Sequence, residues 1–147
     1  MRDERRRPLV VHVVYITLLG LYATLIAVIV LSPNRVDGDG MGVYRILYGL
    51  YGWGLPRWIT YQTVEVSANV IVMVPFGMLM ALLLPRRLWW VAVIVCSAVS
   101  LSAEVVQALL PGRMPSASDW IANTAGGLAG AGIAVLFRAQ KGAKVST

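Results

Sequence analysis

Four stretches of this chain are long and apolar enough to cross a bilayer, whose core takes about 20 helical residues: Leu9 to Leu31, Val66 to Leu84, Leu88 to Leu110 and Ile121 to Phe137. The last is short but gains reach from Trp120. Between the first and second spans the pattern breaks. Ser32-Pro33-Asn34 and Asp37-Gly38-Asp39-Gly40 are turn chemistry, since proline fixes φ and glycine supplies positive φ. Asp37 and Asp39 suggest a calcium loop, but no bidentate glutamate follows at the required spacing. From Val43 to Tyr61 the loop turns aromatic, with Tyr44, Leu47, Tyr48 and Tyr51 at helical spacing and Trp53 and Trp58 beyond. Rings carrying one polar atom favour the headgroup level, so a short interfacial helix is expected here, with a share in ligand binding as the alternative. The fold class this predicts is an all-α membrane protein: a four-helix transmembrane bundle with an interfacial helix in the first outer loop. Four spans consume most of 147 residues, so a single domain is expected.

Composition agrees, with 58% hydrophobic residues, 14% charged residues and a mean hydropathy of +0.70. A net charge of +6 and a pI near 10.0 raise the question of nucleic acid. The cations, however, gather at alternate helix ends and not on one face, which excludes nucleic acid as the expected partner. Arg2, Arg5, Arg6 and Arg7 precede the first span, Arg86 and Arg87 fill the second turn, and Arg138, Lys141 and Lys144 follow the fourth span. The other loops dilute Arg35, Arg45, Arg57 and Arg113 with Asp37, Asp39, Glu65 and Asp119. Both termini are therefore expected in the cytoplasm. Leu9 to Leu31 exceeds the hydrophobic region of a signal peptide and lacks an A-x-A site before Ser32, so it reads as a retained anchor. The single cysteine, Cys96, builds neither a disulfide nor a cysteine metal site within one chain.

Chemistry concentrates between Ser100 and Gly130. Ser97, Ser100, Glu104 and Gln107 form one stripe of the third span, which must face protein or water, because an ionisable group in a span costs roughly 2.5 to 3.5 kcal/mol on insertion scales. Glu104 lies roughly 9 Å below the outer end of that span at 1.5 Å per residue. Pro111-Gly112-Arg113 turns the chain, and Ser116-Ala117-Ser118-Asp119 matches a capping box in which Ser116 caps and Asp119 reaches back. Asn123 follows one turn later, and Gly126, Gly130 and Ala134 continue its face, suited to close helix contact within the chain or between copies. A short turn makes the last two spans antiparallel neighbours, so Glu104, Gln107, Asp119 and Asn123 converge with Arg113 above them. In the second span, Ser67 and Asn69 stand near the outer entrance, and Pro75 kinks the helix and frees the carbonyl of Ile71.

The ordered pattern Asn69, Pro75-Phe76-Gly77, Ser100-x3-Glu104-x2-Gln107, Arg113, Asp119, Asn123 and Gly126 or Gly127 resembles the VanZ-like family of bacterial membrane proteins. The resemblance covers roughly Asn69 to Ala134, and the aromatic loop shows little of it. It implies a polytopic helical fold in the bacterial cytoplasmic membrane and, for the founding member, low-level teicoplanin resistance.

Three functional classes follow. In the first, Asn69, Ser100, Glu104, Gln107, Arg113, Asp119 and Asn123 form an outward-facing site that binds or occludes an envelope lipid, wall precursor or glycopeptide antibiotic through charge-assisted hydrogen bonds. In the second, the chain is an intramembrane hydrolase or transferase on a lipid-linked substrate with Glu104 as base. In the third, it is a structural or transport subunit, for which four helices require a homo-oligomer or a membrane protein partner. Against catalysis, the only histidine, His12, lies near the opposite end, and no serine or cysteine pairs with a recognisable base. A metal held by Glu104 and Asp119 is poorly specified without histidines, so neither metal nor cofactor is expected. Alternatively, Glu104 with Arg113 and Asp119 with Ser116 merely pin the hairpin.

Overall fold

The computed structural model describes residues 3–31, 41–109 and 116–145, with side chains over 9–28, 41–109 and 116–140. Five α-helices result: α1 Asp3–Leu31, α2 Met41–Gly52, α3 Tyr61–Leu83, α4 Trp89–Ala108 and α5 Ala117–Val145, with a 3-10 turn, Arg86–Leu88, ahead of α4. Four segments are long and apolar enough to cross a membrane: Leu9–Val28 in α1, Tyr61–Leu83 in α3, Arg86–Ala108 over the 3-10 turn and α4, and Ala117–Gln140 in α5. The protein is an all-helical, multi-pass membrane protein. The expected turns over Ser32 to Gly40 and at Pro111 to Arg113 lie outside the described residues.

The second span begins earlier than its apolar run. Thr60 caps α3: its hydroxyl accepts the Thr63 N–H at 3.3 Å, while Thr63 Oγ1 accepts the Thr60 N–H at 3.3 Å. This reciprocal cap fixes the start at Tyr61, although Gln62 and Glu65 interrupt the apolar pattern until Val66. Asn69 therefore stands two turns inside the helix. Further on, Pro75 sits within the continuous helix, and the Tyr22 hydroxyl of α1 donates to the carbonyl of Val72 at 2.6 Å, one residue beyond the carbonyl that Pro75 cannot reach.

Packing follows residue size. In α5, Gly126 lies against Val70 and Met73, and Gly130 against Val74 and Met78, so α3 and α5 run parallel at a nearly constant offset. A Cβ on Gly77 would stand 2.7 Å from Gly127 Cα, which means the two backbones touch. That glycine face is spent on contact within the chain. On α4 the buried positions recur every four residues: Ala92, Cys96, Ser100 and Glu104. This ridge runs antiparallel to α5, with Ala92 in a cluster with Ala131 and Ala134, and Cys96 against Gly127. The other helix, α1, closes the bundle with Tyr15, Leu19, Tyr22 and Ile26, while Leu21, Leu25 and Val28 remain exposed as a lipid-facing surface requires.

At the end of α3, Arg138 of α5 donates to the carbonyls of Leu84, at 2.9 Å, and Leu82. A cation there satisfies carbonyls that the helix leaves open and complements its dipole.

Candidate functional site

The ridge of α4 changes chemistry along its length, from alanine and cysteine at one end to serine and glutamate at the other. Ser100 and Glu104 on the ridge, and Ser97 beside it, each meet a donor on α5 or at its N-cap. Asn123 Nδ2 donates to Ser100 Oγ at 3.0 Å, Trp120 Nε1 donates to Ser97 Oγ at 3.0 Å, and the Ser116 backbone N–H donates to Glu104 Oε2 at 2.6 Å. Glu104 is 8% exposed and Ser100 3%, so the bonds to these two form with little competition from solvent. Hydroxyls on exposed faces behave differently. Ser67, Ser102 and Thr124 donate back to the carbonyl four residues earlier, which removes their need for a partner in lipid.

The bond to Ser116 revises the expected capping box. Ser116 Oγ does accept the Asp119 N–H, at 3.3 Å, which makes Ser116 the cap of α5. The Ser116 N–H, which Asp119 was expected to take, goes to Glu104 on the neighbouring helix. Glu104 thus ties two helices together and places a carboxylate at the positive end of the α5 dipole. Ser116 and Ser118 also share a hydrogen bond between their hydroxyls at 2.7 Å.

Of the residues expected to form the site, Ser100, Glu104 and Asn123 are joined to the α4–α5 seam by these bonds. Asp119 is half-buried in the first turn of α5, and Gln107 is half-buried one turn beyond Glu104. Neither Gln107 nor Asn69, half-buried on α3, takes part in the cross-helix bonds among the described residues. Arg113 lies outside them. Ser97 and Trp120 belong to the same ladder. Ser97 was legible as part of the stripe, whereas Trp120 read only as an extension of the short fourth span.

His12 cannot serve Glu104. It precedes Tyr15, which packs in the cluster containing Ala92, and Ala92 is roughly 18 Å from Glu104 along α4 at 1.5 Å per residue. Among the described residues, no three His, Cys, Asp or Glu side chains gather as a metal site would need.

The family model VanZ/LLP1 matches residues 18–138, most of the chain. The chain belongs to the VanZ/LLP1 family. The match begins within α1, takes in the aromatic loop that showed little of the pattern, and ends on Arg138, the residue that closes α3. The seam that builds the site in this VanZ-like protein lies wholly within the match. No curated protein and no solved structure matches the chain.

Proposed function

We propose that this VanZ-like protein is a non-catalytic factor of the bacterial cytoplasmic membrane, with both termini in the cytoplasm and the Glu104 end of the bundle facing outward. There it binds the polar headgroup of an envelope amphiphile: a lipid, a wall precursor or a glycopeptide of the teicoplanin type. The observation that carries this reading is the position of Glu104. It is an ionisable residue fixed at the end of the α4–α5 seam by a backbone N–H, and among the described residues no histidine or hydroxyl nucleophile is bonded to it. A fixed acceptor of that kind suits recognition, whereas a general base must hand a proton to and from a reacting group within hydrogen-bond reach.

In this reading the residues divide by task. Ser97, Ser100, Trp120 and Asn123 use their hydrogen bonds to hold the seam, while Glu104, Gln107, Asp119, Asn69 and Arg113 supply the ligand-facing acceptors, amides and cation. The family membership supports the reading, and so does the polarity gradient along α4, which concentrates hydrogen-bonding groups at one end. The test is binding of fluorescent teicoplanin, and mass-spectrometric identification of co-purified lipid, in wild type, Gln107→Ala and Arg113→Ala. Loss of a charge-assisted bond should weaken retention about tenfold. Equal retention by all three proteins would remove this end of the bundle as the site.

A further inference from the structure

The two faces of α2 are occupied very differently. On one, Tyr44 stacks on Tyr61 with ring centroids 5.1 Å apart, Leu47 is buried, and the Tyr51 hydroxyl donates to the Ile59 carbonyl at 2.6 Å. This face is docked on the entrance to α3. On the opposite face Arg45, Ile46, Gly49, Leu50 and Trp53 fall at offsets of one, three, one and three, one continuous stripe at helical spacing. They line a groove of about 280 Å³. Ile46 is 64% exposed and Trp53 91%, and nothing lies within 4 Å of where a Cβ on Gly49 would stand.

The place of α2 in the bundle says what meets this face. It directly precedes the Thr60 cap of α3, and α3 runs parallel to α5, so α2 sits at the bundle end that holds Glu104 and the start of α5. A helix at the edge of a membrane bundle, showing an apolar groove rimmed by a guanidinium and an indole, is complementary to a phospholipid. A phosphate would meet the arginine, the glycerol and first methylenes would lie on Ile46 and Leu50, and the indole would occupy the headgroup level. Arg57 and Trp58, both exposed just beyond α2, extend the same combination. The groove is below the roughly 300 to 1,000 Å³ of sites that enclose a whole ligand, which fits an occupant whose tails stay in the bilayer.

We propose that the Arg45–Gly49–Trp53 face of α2 is a phospholipid-binding site that selects anionic headgroups, separate from the α4–α5 seam. It holds whichever leaflet that end faces, and it does not depend on the function proposed for Glu104. Gly49 lines the groove, and a Cβ there would meet nothing within 4 Å, so a larger side chain can occupy the space without displacing the backbone.

The test uses the full chain in nanodiscs of equal phosphatidylglycerol and phosphatidylcholine, with lipids retained after detergent extraction counted by native mass spectrometry. Wild type should retain phosphatidylglycerol preferentially. Arg45→Gln should abolish the preference, a change of about tenfold for one lost charge-assisted bond. Gly49→Leu should lower retention of both lipids while leaving thermal unfolding unchanged or raised, since leucine is the better helix former. Wild-type retention in either variant overturns the proposal. A dimer in the wild-type spectrum that Gly49→Leu disperses would also overturn it, by assigning the groove to a second copy of the chain.

Discussion

Glu104 carries two loads at once, and its variants separate them. Its carboxylate accepts the Ser116 N–H and faces the positive end of α5, so Glu104→Ala strands a half-buried donor and removes a favourable charge. That change should cost about 1.5 to 3 kcal/mol of stability, measured by unfolding in mixed micelles. Glu104→Gln keeps an oxygen in the same place and should cost at most about 1 kcal/mol, the helix-dipole share. Equal losses in the two variants would mean that charge, and not the acceptor, holds the hairpin. The sequence placed Glu104 on an inward stripe, because an ionisable group in a span must turn away from lipid. It did not show the partner, since a backbone N–H has no signature in side-chain identity.

At the scale of the helices, the tightest contact is made by what side chains omit. Gly77 of α3 meets the backbone of Gly127, which cannot move aside as a flexible side chain would, whereas a Cβ on Gly132 of α5 would meet nothing within 4 Å. Gly77→Ala should therefore cost about 1 to 3 kcal/mol through overpacking. Gly132→Ala should be neutral or stabilising by up to about 1 kcal/mol, because alanine is the better helix former. Thermal unfolding of both variants in one detergent decides it, and comparable stability would contradict the assigned α3–α5 interface. Small-residue spacing in α5 made close packing legible, but not that α3 is the partner. The start of α3 was missed for a related reason. Hydropathy sees apolar side chains, while the helix begins where Thr60 and Thr63 satisfy backbone donors ahead of Glu65. The helical spacing of Tyr44, Leu47, Tyr48 and Tyr51 did mark α2, yet most of that stripe proved to face α3 and left the Arg45 side open.

For the whole molecule, the alternation of arginine-rich and arginine-poor ends and the four apolar runs made the bundle readable in advance, since bilayer thickness leaves few other solutions. The packing puts α2 and the start of α5 at one end and the Arg86–Leu88 turn at the other. Single cysteines at Gly52 and Ala117, with Cys96 replaced by alanine, should react together with a membrane-impermeant reagent in intact cells, and one at Arg87 should not. Labelling of Arg87→Cys alone would invert the proposed orientation. That α4 and α5 are neighbours was legible too, from the short connection between them, and Glu104 and Asn123 do bond across the seam, while Gln107 does not among the described residues. A ligand was not legible, since hydrogen-bonding groups alone do not name one. The most direct test pairs binding with turnover in nanodiscs for wild type and Glu104→Gln, using fluorescent teicoplanin and a lipid-linked wall precursor as probes. A binding factor should show no product from the wild type and appreciable affinity in the variant, because glutamine retains an acceptor for the same donors. Release of a modified product by the wild type, reduced at least about 10² to 10⁴-fold in Glu104→Gln with binding preserved, would contradict the account and make Glu104 a general base.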